Sequence, residues 1–263
     1  MRALLLLASA ALSLGVVQSS TSTDLSSHFG DLDGTFVLLD GRSGAYVRHN
    51  PARAARRFAP CSTFKVPNTA ILLESGIVAD PAETLAYDPA LKQPKQWARD
   101  FDLPGAFKAS ALWYYRAQAR LAGMDVERRW VERFAYGNTD VSGGLDGATG
   151  PFWVDGTLRI SANEQVEFLR RFREGRLGLS ERTTRLTKAI MVADQSPAWS
   201  LSAKTGACRP AGEQTANWYV GYVERGADVH YFALQIGADD YGRAYRERVA
   251  IARRILTALG VLE

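Results

Sequence analysis

Segments with strand-like patterns lie at the two ends of this chain, and their placement limits the folds available to it. Residues 34–40 form an apolar run typical of a buried strand, and a short turn leads to a returning strand at 45–49. Three further strands and a terminal amphipathic helix are predicted at 199–205, 218–224, 230–236 and 243–259. We therefore predict an α/β fold of the α+β type, in which N- and C-terminal strands form one antiparallel sheet flanked by helices.

The region between these two groups of strands is predicted to be rich in helices and loops. Residues 62–75 have helical spacing and end before Gly76, while Ser161 and Glu164 form a capping-box pattern that opens another helix. Because this region separates the strands, we predict a helical subdomain at roughly 80–191, inserted into a single domain that spans 24–263.

The first residues resemble a secretory signal peptide. Arg2 is followed by an apolar run at 3–17 and then by a polar stretch at 18–22. The apolar run is short for a membrane span, so we expect cleavage after about residue 19, within 19–22, and a mature protein that is exported and soluble. The alternative is a retained N-terminal anchor.

Composition and charge exclude several classes of function. The net charge of +4, which becomes +3 without Arg2, comes from basic residues that are scattered and not interleaved with aromatic residues. Binding to nucleic acid is therefore not expected. The three histidines, His28, His49 and His230, are isolated and lack metal-ligand spacing. We accordingly expect neither a metal site nor a serine–histidine–aspartate triad, and no association with a membrane after signal removal.

Ser62 and Lys65 place a hydroxyl and an amine one helical turn apart on the same face of the helix predicted at 62–75. The chain contains 26 arginines but only six lysines, and a lysine can lose its proton when it is desolvated, whereas an arginine cannot. This pair suggests base chemistry, although a serine followed by such a lysine also occurs on solvated helix faces.

Three other motifs and one tryptophan accompany this pair. Residues 204–206, Lys-Thr-Gly, close a predicted strand, and 136–138, Tyr-Gly-Asn, lie in a loop rich in turn-forming residues. Residues 110–112, Ser-Ala-Leu, begin a helix, and Trp153 precedes the capping box. Taken singly, they are explained as an edge strand, a turn, an N-cap and a core aromatic residue.

Taken together and in this order, the motifs resemble those of the class D, oxacillinase-type, serine β-lactamases. The resemblance runs over essentially the whole mature chain and includes 95–100, 165–169 and 218–224. It implies the transpeptidase-like fold of β-lactamases and penicillin-binding proteins, a small-molecule β-lactam as substrate, a periplasmic location and a part in antibiotic resistance. The alternatives are a penicillin-binding D,D-peptidase and a penicillin sensor that is acylated without hydrolysis.

The resemblance also assigns catalytic roles. Ser62 is expected to be the nucleophile that forms the acyl-enzyme, and Lys65 to be carboxylated by carbon dioxide or bicarbonate into N6-carboxylysine, the general base. Trp153 would donate a hydrogen bond to this carbamate. Ser110 would relay a proton to the lactam nitrogen, and Lys204 would help to orient the substrate carboxylate. No other cofactor and no metal are implied.

Substrate binding is assigned in the same way. Backbone N–H groups of Ser62 and Ala207 would form the oxyanion hole. An arginine of the terminal helix would bind the substrate carboxylate, and the spacing to Leu256 favours Arg248 over Arg246; the alternative is that both arginines are solvated. The remaining expected binding residues are Thr205, Gly206, Leu112, Tyr136 and Asn138. At Leu112 the family usually has valine, so the turnover of particular substrates is not predicted from the family pattern.

Cys61 and Cys208 are the only cysteines in the chain. Each lies close to an active-site motif, and certain class A carbapenem-hydrolysing enzymes have a disulfide at the matching positions. The resemblance therefore implies a Cys61–Cys208 disulfide, which is plausible in an exported protein. The alternative is a pair of buried free thiols.

Overall fold

In the computed structural model, which describes residues 20–22 and 24–263, strands from both ends of the chain form one central sheet. The expected signal peptide at 1–19 lies outside the described residues. The strands of the described residues are β1 (Ser20–Ser22), β2 (Gly34–Asp40), β3 (Tyr46–His49), β4 (Arg57–Phe58), β5 (Ile160–Ser161), β6 (Val192–Gln195), β7 (Ser200–Cys208), β8 (Thr215–Arg225) and β9 (Asp228–Ala238). Seven of them form the central sheet in the order β1-β3-β2-β9-β8-β7-β6, and β4 pairs separately with β5.

The two strand groups meet at β2 and β9. These strands are antiparallel over the whole of β2, from Gly34 opposite Ile236 to Asp40 opposite His230. All other neighbours in the central sheet are antiparallel as well, except β1, which runs parallel to β3. The predicted sheet of N- and C-terminal strands is thus confirmed.

Helices cover both faces of this sheet. They are α1 (Ser26–Phe29), α2 (Pro51–Ala55), α3 (Lys65–Glu74), α4 (Leu103–Ala109), α5 (Leu112–Ala122), α6 (Met124–Arg133), α7 (Phe152–Asp155), α8 (Ala162–Arg173), α9 (Glu181–Met191) and α10 (Arg243–Ala258), with 3₁₀ turns at Cys61–Phe64 and Pro89–Leu91. Since α8 and α10 pack on opposite faces of β9, the central strands are buried on both sides.

The middle of strand β2, residues 36–39, is continuously apolar because both of its faces are buried. Phe36 and Leu38 belong to the core beneath α10, whereas Val37 and Leu39 belong to the larger core that contains α3 and α8. Successive side chains of a strand point to opposite faces, so a strand between two helical layers needs apolar residues at every position.

The helix that begins after Ser161 has the predicted capping box. The Ser161 hydroxyl accepts a hydrogen bond from the Glu164 backbone N–H at 3.2 Å, and the Glu164 carboxylate accepts one from the Ser161 N–H at 2.9 Å. Along the described part of the chain, no helix is both long enough and apolar enough to cross a membrane.

Candidate active site

Ser62 lies in the 3₁₀ turn Cys61–Phe64, which continues directly into α3 at Lys65. This tight turn aligns the two side chains, and Lys65 Nζ lies 2.9 Å from Ser62 Oγ. The distance is a hydrogen bond, so the amine can exchange a proton with the hydroxyl without any rearrangement of the backbone.

The amine of Lys65 is almost completely buried, with 1% of the residue exposed. Burial removes water from the ammonium form and is the main reason why the pKa of Lys65 falls well below its ordinary value of 10.5; the positive charge of Lys204 lowers it further. The centre of the Tyr115 ring lies 5.3 Å from Nζ. Burial at this site thus favours the neutral amine over the ammonium form.

An aromatic cluster stands beside Lys65. The Phe64 ring stacks on Trp153 at 5.3 Å and meets Phe152 and Tyr136 edge to face at 5.1 and 5.6 Å. The indole Nε1 of Trp153 is buried and has no hydrogen-bond partner in the described part of the chain. A buried donor without an acceptor is costly, so this position is suited to an acceptor that the protein chain itself does not supply.

Ser110 reaches the site from the end of α4. It adopts a left-handed backbone with φ of 57°, which is uncommon for residues other than glycine, and it accepts a hydrogen bond from Lys204 Nζ at 3.1 Å. Lys204 also donates to the Thr205 carbonyl at 2.9 Å. Burial, together with the charge of Arg248, lowers the pKa of Lys204 to about 7.

A cleft of about 230 Å³ lies beside Ser62 and Ser110. It is lined by Ser62, Gln96, Trp97, Ala109, Ser110, Thr205, Ala207, Tyr245 and Arg248. A larger cavity of about 470 Å³ includes Lys204 and shares Thr205 with the cleft, but its walls are mainly apolar and do not include Ser62. The smaller cleft is the better candidate for the reaction, because it contains the hydroxyl that is paired with a buried amine.

Arg246 and Arg248, the two candidate ligands for a substrate carboxylate, differ in position and exposure. Arg248 lines the cleft and is 8% exposed, whereas Arg246 is exposed and is not among the cleft residues. Within the described residues, Arg248 Nε has no hydrogen-bond partner, while Nη1 donates to the Tyr245 carbonyl. Arg248 thus retains a donor that a bound carboxylate can use.

A disulfide joins Cys61 to Cys208, with 5.4 Å between the two Cα atoms. It connects the turn that carries Ser62 to the end of β7, the strand that carries Lys204. Cys61 has φ of 52°, so the residue before Ser62 is held in a left-handed conformation. Gly206 allows the close approach of β7, because a Cβ there would lie 2.9 Å from the Pro60 carbonyl oxygen.

Removing this disulfide is expected to destabilise the protein substantially. The bond closes a loop between residues separated by 147 positions, and a Cys61→Ala/Cys208→Ala variant should lose about 2–4 kcal/mol in free energy of unfolding. Urea unfolding monitored by circular dichroism, without reductant, measures the change. Reductant should lower the midpoint of the parent protein but leave the variant's midpoint unaltered. Equal midpoints for the parent and the variant without reductant would contradict the prediction.

Four residues expected to bind substrate are not part of the cleft lining: Gly206, Leu112, Tyr136 and Asn138. Tyr136 is fully buried between Phe64 and Phe168, and the Asn138 side chain donates to the Thr157 carbonyl at 2.8 Å and accepts from the Arg159 N–H at 2.8 Å. Leu112, the first residue of α5, is partly buried against the core. Tyr136 and Asn138 therefore support the site through packing and loop structure.

The cleft also contains residues that the motifs did not assign as ligands, among them Gln96, Trp97 and Tyr245. Trp97 is fixed by a hydrogen bond from its Nε1 to the Ala109 carbonyl at 2.9 Å. Tyr245 could have been found from spacing, since it precedes Arg248 by three positions on the same helix.

Comparisons with known proteins agree with this geometry. The family model described as the penicillin binding protein transpeptidase domain matches residues 34–257. β-Lactamase OXA-20 from Pseudomonas aeruginosa is 34% identical, with 99% of this chain and 97% of that protein covered. β-Lactamase OXA-48 from Klebsiella pneumoniae is 36% identical, with 77% and 75% covered.

Solved structures give the same result. A class D β-lactamase from Sebaldella termitidis has a TM-score of 0.85 at 29% identity, and the C-terminal domain of the Bacillus licheniformis BlaR penicillin-receptor has 0.85 at 30% identity. Each comparison covers 93% of this chain and 98% of the other. The relatives in sequence are β-lactamases, and the matches to them extend over most of the chain. This chain therefore belongs to the class D, oxacillinase-type, serine β-lactamases.

Proposed function

We propose that this protein hydrolyses the amide bond of β-lactam antibiotics through an acyl-enzyme on Ser62, with carboxylated Lys65 as general base, and thereby contributes to antibiotic resistance. The observation that carries the proposal is the 2.9 Å contact between Ser62 Oγ and the buried Nζ of Lys65. A neutral amine beside the nucleophile is the form that can accept the hydroxyl proton or react with carbon dioxide.

The surroundings of Lys65 fit a carboxyl group on its amine. Such a group requires an unprotonated amine, and the burial of Lys65 favours that form. The unpaired Nε1 of Trp153, whose ring stacks on the neighbouring Phe64, is an available donor for it. When present, the carboxyl group supplies a carboxylate oxygen that can accept a proton, which a lysine ammonium cannot do.

The other cleft residues have separate tasks in this proposal. Ser110, in contact with Lys204, passes a proton to the lactam nitrogen as the amide bond breaks. Thr205 and Arg248 bind the carboxylate that β-lactam antibiotics carry next to the reactive ring. The backbone N–H groups of Ser62 and Ala207, both on the wall of the cleft, stabilise the oxyanion, and losing one such donor typically costs about 3–4 kcal/mol of barrier.

Turnover of nitrocefin with and without added bicarbonate tests the proposal. After acid treatment and degassing, activity should fall and should return when bicarbonate is added. A Trp153→Phe variant keeps the aromatic stack but lacks the donor, so it should need more bicarbonate for half-maximal activity. Multiple turnovers that are independent of bicarbonate in both proteins would refute carboxylated Lys65 while leaving β-lactam hydrolysis in place.

The similarity to the penicillin-receptor domain favours one second candidate, a sensor that is acylated and not hydrolysed. The same assay separates the two functions. A sensor, like a slow D,D-peptidase, opens one equivalent of nitrocefin per enzyme, keeps it bound as the acyl group on Ser62 and then stops, whereas a β-lactamase continues. Mass spectrometry of the protein after penicillin treatment would show a persistent adduct on Ser62 in the first case.

Export is a further part of the proposal. The N-terminal sequence has the pattern of a signal peptide, and the Cys61–Cys208 bond suits an oxidising compartment such as the periplasm. The mass of the protein recovered from a periplasmic extract should correspond to a chain that begins between residues 20 and 23.

The pH dependence of kcat/KM should report the state of Lys204. Its pKa of about 7 means that the ammonium form is present below pH 7 and is lost as the pH rises through this value. If the ammonium is needed for substrate binding or proton transfer, kcat/KM should fall above about pH 7 by up to tenfold per pH unit. Lys204→Arg, which stays charged, should lack this alkaline limb. A flat profile up to pH 9 in the parent protein would contradict the prediction.

A further inference from the structure

Two exposed tyrosines form an aromatic corner at the rim of the cleft. Tyr241 and Tyr245 have ring centres 6.1 Å apart and planes at 89°, and they remain 47% and 43% exposed. Tyr245 also lines the cleft that contains Ser62. Large aromatic side chains that stay exposed beside a reactive cleft are suited to contact with a ligand.

Arg248 fixes the position of this corner. Its guanidinium Cζ lies 4.0 Å from the centre of the Tyr245 ring, and its Nη1 donates to the Tyr245 carbonyl. One face of the ring is therefore covered by the arginine, while the rest of the ring stays open to the solvent. Since Arg248 is the proposed carboxylate ligand, any group carried close to that carboxylate must lie near Tyr245.

We propose that Tyr245, with Tyr241 behind it, forms a subsite for a flat aromatic substituent on the ring fused to the β-lactam, at the carbon adjacent to the one that bears the carboxylate. In cephalosporins this is the C3 position. The inference rests on the proposed function, because it uses Arg248 as the carboxylate anchor. The open part of Tyr245 offers stacking, and the perpendicular Tyr241 offers an edge-to-face contact, whereas a methyl group at C3 is too small to use either.

Trp97 is the other large aromatic side chain that lines the cleft, and it is less exposed than Tyr245. Trp97 is tied down through its Nε1 to the Ala109 carbonyl and accepts at its own carbonyl from Trp113 Nε1 at 2.7 Å. Tyr245, in contrast, is held through its backbone and through the contact of its ring with Arg248. The specificity for the C3 group is thus assigned to the α10 side of the cleft.

Competition kinetics on the full-length mature protein test the subsite. Two cephalosporins with the same acylamino group, one with an arylvinyl group at C3 and one with methyl, are used as competitors of penicillin hydrolysis. In Tyr245→Ala, the apparent Ki of the arylvinyl compound should rise about 3- to 10-fold more than that of the methyl compound. Any displacement of Arg248 affects both compounds, so the ratio of the two Ki values isolates the ring contact.

Two further variants make the outcome specific. Tyr245→Phe keeps the ring and should keep the parent ratio, and Tyr241→Ala should change the ratio in the same direction but by less. An unaltered ratio in Tyr245→Ala, with penicillin hydrolysis intact, would overturn the inference. Failure of the parent protein to hydrolyse any β-lactam would instead refute the proposed function, and the ratio of acylation rates of the two compounds would then test the subsite.

Discussion

Replacing Lys65 with methionine is expected to lower kcat/KM for a penicillin by about 10²–10⁴-fold, the usual contribution of a general base. Methionine fills nearly the same volume but cannot take the proton from Ser62 Oγ, which now lies 2.9 Å from the amine. Steady-state hydrolysis at saturating bicarbonate measures the effect. Added bicarbonate should not restore any activity, because no amine remains to react.

The same substitution should increase stability while it removes activity. Lys65 is 1% exposed, and it forms no salt bridge with a carboxylate of the described residues. Removing a desolvated amine that lies close to the positive charge of Lys204 should therefore raise the free energy of unfolding. Lys188→Met is the matched control: Lys188 is half-buried on α9 outside the cleft, and this variant should keep full activity.

Loss of both activity and stability in Lys65→Met would show that the lysine is mainly a structural residue. Retention of activity within tenfold of the parent would exclude Lys65 as the base. Neither outcome is expected from a neutral amine buried within hydrogen-bonding distance of the nucleophile.

The sheet could be predicted from the sequence because its central strands are buried on both faces. Strands β2 and β9 carry continuous apolar runs at 36–39 and 231–234, and the helical layers on either side require this. The predicted C-terminal strands are too short by several residues. For example, the strand predicted at 218–224 runs from Thr215 to Arg225 in the structure. Hydrogen bonding in the ladder extends beyond the apolar core, where the sequence pattern no longer reports it.

The edge strands could not be predicted in this way. All four residues of β6 are exposed, so burial imposes no alternation on them, and β6 exists because β7 offers it a hydrogen-bonding partner. The left-handed backbone at Cys61 and Ser110 could not be predicted from the sequence either, since neither residue type favours it. Tertiary contacts impose these conformations.

The roles of the site residues could also be predicted only in part from the sequence. Short motifs carry the distinctive chemistry of the two lysines, and the structure pairs Lys65 with Ser62 and Lys204 with Ser110. Tyr136 and Asn138 belong to an equally recognisable motif, but their side chains are used inside the protein. A motif can thus mark a structural requirement of the site as readily as a contact with the substrate. The distinction depends on burial, which spacing along the sequence does not reveal.

Glu127 on α6 gives the other large expected effect, this time on stability. It is fully buried, and both carboxylate oxygens lack a hydrogen-bond partner within the described residues. Burial raises the pKa of Glu127 from 4.5 to about 8. The folded protein therefore keeps this carboxyl protonated at neutral pH, whereas the unfolded chain ionises it above about pH 4.5.

The sign of the pH dependence follows from these two states. Between about pH 4.5 and 8 the folded state binds one proton more than the unfolded state, so the contribution of Glu127 to stability falls as the pH rises, by about 1.4 kcal/mol per pH unit. At pH 7 the accumulated loss amounts to roughly 3 kcal/mol relative to pH 4.5. Below pH 4.5 the group is protonated in both states and this loss disappears.

Glu127→Met should therefore be more stable than the parent protein by about 3 kcal/mol at pH 7, and the gain should shrink steadily towards pH 4.5. Urea unfolding at several pH values between 4.5 and 8 measures the difference. Glu127→Gln also removes the titration and should flatten the pH dependence, but it gains less at pH 7 because it leaves a buried amide without a partner. Glu132→Gln, at an exposed position of the same helix, should behave like the parent protein. A difference between Glu127→Met and the parent that did not vary with pH would show that the carboxyl is hydrated in the folded state, since only a desolvated group changes its proton binding on unfolding.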